Sequence, residues 1–111
     1  MITTHVLDTA LGKPAVGVKI RLDLAEGAGW KSLGEGTTDG DGRLRTLLAP
    51  GSQLEAGAYR LRFETGEYFS GLGVAGFFPT VDITFIVRES GGHYHVPLLL
   101  SPFGYSTYRG S

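Results

Sequence analysis

The chain contains no cysteine, which excludes disulfide bridges and thiolate metal sites and is compatible with a reducing compartment. It also lacks an excess of charge of one sign. Ten basic and eleven acidic side chains leave a net charge of −1, so no broad field draws it to nucleic acid or to an anionic membrane. No apolar run reaches the ~18–20 residues that a membrane span needs, and the first residues lack the basic-then-apolar pattern of a signal segment. From these absences we expect a cytoplasmic protein with no membrane or nucleic-acid partner.

Several motifs of well-known catalytic sites are also missing. The sequence has no glycine-rich phosphate loop opening a helix, no His-Glu-x-x-His motif and no G-x-S-x-G nucleophile elbow. Asp39 and Asp41 resemble the start of a calcium loop, but the later glutamate at the required spacing is absent, so a role in a turn is favoured. Basic residues are scattered rather than interleaved with aromatic ones, which argues against oligonucleotide binding.

The residues that are present are typical of a single small β domain. A chain of 111 residues is just long enough to bury roughly 60–70% of the surface that it exposes when unfolded. Aromatic residues make up 11% of it, which predicts a packed core. Eighteen glycines and five prolines are too many for a helical bundle and lie between β-branched runs. We therefore expect one domain over residues 1–111, built from short strands and tight turns.

Alternation of apolar and polar residues predicts most of the strands. Ile2–Asp8 alternates, and Val16–Leu24 does so most cleanly, with Val16, Val18, Ile20, Leu22 and Leu24 on one face. Thr65–Pro79 breaks the alternation and predicts a short helix of two turns, although it contains four glycines. The other predicted strands are 30–36, 44–48, 58–64, 80–88 and two that flank 102–104. Seven or eight short strands with one helix are most economically arranged as an antiparallel sandwich.

The last twenty residues, from Gly92 to Ser111, are rich in side chains that carry chemistry. Chain ends usually fray unless they are tied down, yet this segment has three tyrosines, an arginine and an apolar run. We therefore expect an ordered strand here. His93 and His95 lie two residues apart, so a strand points both to the same face.

Three histidines and several arginines form the set best suited to catalysis. A neutral imidazole accepts a proton from water near neutral pH and returns it to a leaving nitrogen, while arginine holds an oxyanion or an acidic heterocycle. The set fits hydrolysis of an activated cyclic amide without metal, and it also fits a zinc site of three histidines and a water. The metal-free interpretation is favoured because no carboxylate lies next to His93 or His95 to orient its ring. Spacing alone leaves both open.

Five segments together resemble the 5-hydroxyisourate hydrolases, the transthyretin-related proteins of urate degradation. They are ITTHVLDTALGKPA, TTDGDGRL, FETGEYFSGLG, FFPTVDITF and HYHVPLLLSPFGYSTYRGS, and they span essentially the whole chain. The final YRGS is the part that distinguishes these hydrolases from transthyretin, the hormone carrier of the same fold.

The resemblance implies an all-β, transthyretin-like sandwich of two four-stranded sheets with one short helix. It implies a homotetramer with active sites in clefts between dimers. It also implies a metal-free hydrolase, without any cofactor, whose substrate is 5-hydroxyisourate and whose product is 2-oxo-4-hydroxy-4-carboxy-5-ureidoimidazoline.

The same resemblance places catalytic roles on individual residues. The family's two histidines fall on His5 and His95, its arginine falls on Arg43 in DGR, and the terminal segment adds Ser111. Tyr108 and Arg109 are expected to bind substrate. Arg45 competes with Arg43, His93 is expected to lie in an outer shell or in solvent, and Ser111 offers either its hydroxyl or a terminal carboxylate.

Two other functions remain open. The fold also serves transthyretin as a small-molecule carrier, so a carrier without hydrolase activity is the main alternative. A mainly apolar lining of the channel favours the carrier, whereas charged and imidazole groups favour the hydrolase. A zinc-dependent hydrolase is the third possibility.

Overall fold

A computed structural model describes the whole chain, residues 1–111, as nine β-strands and one short α-helix. The strands are β1 (Ile2–Asp8), β2 (Lys13–Pro14), β3 (Lys19–Glu26), β4 (Gly29–Thr37), β5 (Arg43–Leu44), β6 (Gly57–Phe63), β7 (Val81–Val87), β8 (Tyr94–Ser101) and β9 (Gly104–Thr107). The helix α1 (Thr65–Gly71) lies between β6 and β7 and matches the predicted two turns. No helix of the protein is long and apolar enough to cross a membrane.

The strands form two sheets. One follows the order β2-β1-β8-β9, with the two-residue strand β5 also paired to β1, and the other follows β4-β3-β6-β7. The predicted sandwich of two sheets with one short helix is confirmed, with β5 as a small fifth strand. All pairings are antiparallel except that of β1 with β8, which is parallel. This pair departs from the predicted antiparallel arrangement. β1 and β8 come from distant parts of the chain, so no hairpin turn requires them to run antiparallel.

Two strands are shorter than their sequence patterns predict. β3 begins at Lys19 rather than at Val16, because Gly17 adopts a φ of 79° and turns the chain. Val16 is therefore 54% exposed instead of facing the core, which corrects the prediction for that residue. Of the segment 44–48, only Leu44 pairs in a strand, although Leu47 is buried.

One face of each sheet supplies the apolar core, a single cluster of 19 buried residues. From β1 and β8 this cluster takes Ile2, Val6, Tyr94, Val96, Leu98 and Leu100. Fully burying a side chain of this size stabilises the fold by about 1.5–3 kcal/mol. A slip of one residue would expose all six, so the register of both strands is well specified. The opposite faces of β1 and β8 consequently point outward.

A buried carboxylate ties β1 to the helix α1. Asp8 is 1% exposed, and its Oδ1 accepts the backbone N–H groups of Ala10 and Leu11 at 3.0 and 3.1 Å. Its Oδ2 accepts the Tyr68 hydroxyl at 2.7 Å. Burial, and then the hydrogen bond to Asp8, raise the pKa of that hydroxyl. The carboxylate thus holds the β1–β2 turn and α1 together.

Tyr68→Phe is expected to lower the free energy of unfolding by about 1–3 kcal/mol, because it leaves an oxygen of buried Asp8 without its donor. Urea denaturation at a fixed protein concentration measures the change. Tyr105→Phe removes a hydroxyl from an exposed tyrosine and serves as the matched control. Equal stability of the two variants would contradict a structural role for this bond.

Candidate active site

The parallel register of β1 and β8 brings two of the predicted histidines onto one outward face. Thr3 lies opposite His95, and His5 lies opposite Pro97. Because side chains alternate between the faces of a strand, Thr3, His5 and His95 all point away from the core. His5 is therefore a diagonal neighbour of His95. The register therefore places both imidazoles on one face of a single protomer.

The turn before β5 positions the predicted arginine. The carboxylate of Asp39 accepts the backbone N–H groups of Arg43 and Asp41 at 3.0 and 2.9 Å, and these bonds lower the pKa of Asp39. Gly42 has a φ of 75°, and a Cβ there would lie 2.5 Å from the carbonyl oxygen of Val6. The turn sets Arg43 directly opposite His5 in antiparallel register.

The same turn determines which ring nitrogen of His5 carries hydrogen. His5 Nε2 lies 2.9 Å from the backbone carbonyl oxygen of Asp41. A carbonyl oxygen only accepts hydrogen bonds, so Nε2 must donate. Neutral His5 therefore has its lone pair on Nδ1, which is the nitrogen able to accept a proton.

His95 is held by a hydroxyl group and surrounded by positive charge. Its Nδ1 lies 2.8 Å from Thr3 Oγ1, which is also 3.2 Å from Nε2 of the exposed His93. Burial lowers the pKa of His95 most, and the charges of Arg43, His5, His93 and Arg45 lower it further. A lowered pKa keeps this imidazole neutral near pH 7, as a general base requires.

Arg43 and Arg45 differ in what their guanidinium groups already contact. Arg45 is exposed, and its Nη1 lies 3.9 Å from Oδ2 of Asp39. The Arg43 side chain is half-buried and makes no ion pair within the chain. Its planar set of donors therefore remains available to an anion. This difference supports Arg43 over Arg45 as the catalytic arginine.

The terminal segment is fastened beside His95. The backbone N–H of Gly110 donates to the His95 carbonyl oxygen at 2.8 Å, which forms an isolated bridge between the two residues. A Cβ on Gly110 would lie 2.5 Å from His95 Cδ2, so only glycine lets the backbone pass this ring. Ser111 follows directly and lines the same depression as His95.

Tyr108 and Arg109, predicted to bind substrate, lie elsewhere in the protomer. Both line an apolar hollow between β7 and the end of β9. The Arg109 guanidinium carbon lies 4.6 Å from the centroid of the buried Tyr94 ring, in a cation–π contact. This contact anchors the terminal segment, and a role of either residue toward substrate stays a prediction.

The predicted residues His95, Arg43 and Ser111 border a depression of about 210 Å³ on the outward face. Its complete lining is Met1, Thr3, Thr4, Arg43, Arg45, His93, His95 and Ser111. His5 lies beside the depression rather than in its wall. Met1 is the one hydrophobic residue of the lining, so the surface offered to a ligand is polar and largely cationic.

A larger hollow of about 580 Å³ lies on the other sheet, between charged side chains of β3, β4 and β6. It contains lysine, arginine and glutamate but no imidazole. The smaller depression is therefore the better candidate for proton-transfer chemistry. No group of three or more histidine, cysteine or carboxylate side chains in the protein is arranged to hold a metal ion.

Sequence reasoning missed Thr3. Its hydroxyl contacts two histidines and is part of the depression, yet a threonine in a predicted strand reads as an ordinary β-former. A signal was present, because Thr3 lies two residues before His5 and so shares its face. The contact with His95 became visible only with the parallel pairing of β1 and β8.

Comparison with known proteins identifies relatives over the full chain. The sequence profile of the HIUase/Transthyretin family matches residues 2–110. A 5-hydroxyisourate hydrolase of Caulobacter vibrioides is 50% identical over 114 residues, which cover 99% of this chain and 97% of that protein.

Two solved structures share the fold. The structure of Klebsiella pneumoniae 5-hydroxyisourate hydrolase matches with a TM-score of 0.85 and 36% identity, covering 99% of this chain and 98% of that one. Sea bream transthyretin in complex with thyroxine matches with a TM-score of 0.90 and 30% identity, covering 98% and 93%. The predicted transthyretin-like fold is confirmed, but because one fold serves both proteins, function rests on the site.

Proposed function

The chain belongs to the HIUase/transthyretin family, and on that premise we propose that it hydrolyses 5-hydroxyisourate in urate degradation. The product is the ring-opened 2-oxo-4-hydroxy-4-carboxy-5-ureidoimidazoline. The observation that carries the proposal is the outward face on which His5, His95 and Arg43 meet. Two imidazoles that can accept a proton, beside an Arg43 guanidinium without an ion pair, are suited to the attack of water on an anionic cyclic amide.

The chemistry assigns a distinct task to each group. Water held between His5 and His95 gives a proton to an imidazole while its oxygen bonds to the C6 carbonyl carbon of the substrate. Arg43 holds the anionic ring and stabilises the negative charge that develops on the carbonyl oxygen. The bond between C6 and N1 then breaks, and the imidazole returns its proton to N1. No cofactor takes part in this sequence.

Ser111, which lines the depression, is proposed to contact substrate there. Either its hydroxyl or a terminal carboxylate can serve. Adding one residue after Ser111 separates these possibilities, because the addition moves the carboxylate and leaves the hydroxyl in place. Unchanged activity would assign the contact to the hydroxyl.

We further propose that the active form is a homotetramer with the sites at clefts between dimers. The depression is open to solvent, and four of its eight lining residues, namely Met1, Arg45, His93 and Ser111, are exposed in the single protomer. A facing subunit would enclose the depression and exclude bulk water, which strengthens every charge interaction within it. Sedimentation velocity of the pure protein tests the assembly, and a purely monomeric enzyme with full activity would contradict it.

The lining of the depression favours hydrolysis over carriage of an apolar ligand. Seven of its eight residues are polar or charged, and two are histidines. The deciding experiment follows the decay of freshly made 5-hydroxyisourate by ultraviolet spectroscopy with and without pure protein. We expect acceleration that survives exhaustive chelation. Decay at the spontaneous rate would overturn the proposal, and loss of activity on chelation would favour the zinc-dependent alternative.

The low pKa of His95 predicts how activity depends on acid. Burial and nearby positive charge disfavour the imidazolium, so the neutral base persists below the ordinary value of 6.5. Arg45→Gln removes one of these charges and should raise the pKa, which moves the acid limb of kcat/KM toward higher pH. Profiles at low salt measure the shift, and Arg88→Gln, a change at an exposed arginine after β7, is the control. If the acid limb of kcat/KM moved toward lower pH in Arg45→Gln, the result would contradict the predicted rise in the pKa of His95.

A further inference from the structure

The Thr3 hydroxyl lies between two imidazoles and forms a different kind of hydrogen bond with each. Its Oγ1 is 2.8 Å from His95 Nδ1 and 3.2 Å from His93 Nε2. A hydroxyl has one hydrogen, so it donates to one ring nitrogen and must accept from the other. When both rings are neutral, only one of the two facing nitrogens carries hydrogen. The tautomers of His93 and His95 are therefore linked through Thr3.

Burial makes this link difficult to replace with water. Thr3 is 5% exposed, packed between β5 and β8 on the central strand β1. Gly110 passes against the Cδ2 edge of the His95 ring and fixes its orientation from the other side. The ring is thus held on two edges, and Nε2 remains as the nitrogen without a hydrogen bond to the chain.

The charges around the depression select one of the two arrangements. The charged groups that act on His95 are the guanidinium groups of Arg43 and Arg45 and the other two imidazoles, while Met1 and Ser111 also line the depression. Positive neighbours favour a lone pair, rather than an N–H, on the open nitrogen of the ring. With the lone pair on Nε2, His95 carries its hydrogen on Nδ1 and donates to Thr3. Thr3 then donates to His93.

We propose that Thr3 is a positioning residue that keeps Nε2 of His95 free to accept the proton of the attacking water, with His93 as the acceptor for the Thr3 hydroxyl. The proposal rests on the hydrolase function proposed above and adds two residues to it. In this arrangement the hydrogen bonds run from His95 Nδ1–H to Thr3 and from the Thr3 O–H to His93 Nε2. Neither Thr3 nor His93 touches the reacting atoms.

The linkage makes the base sensitive to the charge on His93. When acid protonates His93, both of its ring nitrogens carry hydrogen, and Nε2–H must donate to Thr3. The hydroxyl then turns toward His95 Nδ1, so the hydrogen of neutral His95 moves to Nε2 and blocks the base. Simple repulsion by a charged His93 has the opposite effect, because it keeps His95 unprotonated. The two mechanisms therefore predict opposite results when His93 is removed.

Thr3→Val and Thr3→Ser provide the kinetic test, because valine matches threonine in shape and serine keeps the hydroxyl. We expect Thr3→Val to lower kcat by about 10- to 100-fold, by analogy with the loss when a hydrogen-bond partner that orients a metal-ligating histidine is removed. KM should change little, and Thr3→Ser should recover most of the activity. Wild-type kcat in Thr3→Val, or equal loss in both variants, would overturn the proposal.

Nitrogen-15 NMR of histidine-labelled protein at pH 8 tests the same proposal without any substrate. In the wild type, Nδ1 of His95 should have the shift of a protonated nitrogen and Nε2 that of a bare one; this pattern should be lost in Thr3→Val. A protonated Nε2 in the wild type would refute the positioning role even if the protein hydrolyses its substrate. The NMR result stands if the proposed function fails instead.

His93→Gln completes the test in the acid range. Each variant is compared with its own activity at pH 8. Under the proposal His93→Gln retains a larger fraction of its activity at pH 5.5 than the wild type does. A smaller retained fraction would show that repulsion alone links the rings and would overturn the role of His93 as acceptor.

Discussion

His95→Gln is expected to lower kcat by about 10²–10⁴-fold, the usual contribution of a general base. The lowered pKa of His95 keeps it neutral, and its Nε2 faces no competing donor within the chain. Glutamine keeps a polar side chain of similar reach but cannot take up a proton at neutral pH. Turnover of freshly made 5-hydroxyisourate under saturating substrate measures the loss.

His5→Gln is the companion variant, and a loss within the same range is expected, because the bond of Nε2 to Asp41 leaves Nδ1 as the proton acceptor that we propose for the same water. If the two imidazoles act as a unit, the double variant loses little more than either single one. His93→Gln is the matched histidine control, with a smaller loss at pH 8 because His93 is exposed and acts only through Thr3. Near-full turnover in either His5→Gln or His95→Gln would rule out the proposed pair.

Arg43→Gln is expected to lower kcat/KM by about 10²–10³-fold, since it removes a charged donor from the developing oxyanion. The guanidinium of Arg43 has no ion pair within the chain, so its loss has no structural cost of that kind. Arg43→Lys should recover only part of the activity, because an ammonium cannot reproduce the planar pair of donors.

Arg45→Gln is the matched control for this experiment. Arg45 lines the same depression but is exposed and lies near Asp39, so we expect less than about a tenfold change in kcat/KM at pH 8, as for a screened surface charge. A larger loss of kcat/KM in Arg45→Gln than in Arg43→Gln would show that Arg45, rather than Arg43, is the catalytic arginine. Circular dichroism of each variant separates loss of chemistry from loss of fold.

The sequence pattern predicted which residues of a strand face the core better than it predicted which strands pair with each other. Alternation in Ile2–Asp8 correctly separated His5 from the core side of β1, because burial enforces a period of two. It contained no information about which strand pairs with β1 or in which direction. The parallel pairing with β8 was therefore missed, and with it the contact between Thr3 and His95.

Backbone geometry accounts for the other differences. Val16 continues the alternating pattern, but the turn at Gly17 takes Val16 out of the sheet. Hydrophobic periodicity does not reveal a turn made by a single residue. The Asp8–Tyr68 bond joins residues that are 60 positions apart, so no local signal exists for it. Family resemblance supplied the site residues that spacing alone left open, and it did not supply the cation–π contact of Arg109 with Tyr94.

The parallel pairing of β1 with β8 has a consequence for biosynthesis. β3, β4 and β6 pair with strands near them in sequence, so their sheet is able to assemble while the ribosome is still at work. β1 pairs early with β2 and β5, but its other edge stays unpaired until β8 is translated some ninety residues later. That pairing also has to overcome the entropy cost of closing so long a loop. Truncated or stalled nascent chains that lack β8 therefore contain His5 but not His95. The proposed hydrolysis is absent until synthesis has passed β8.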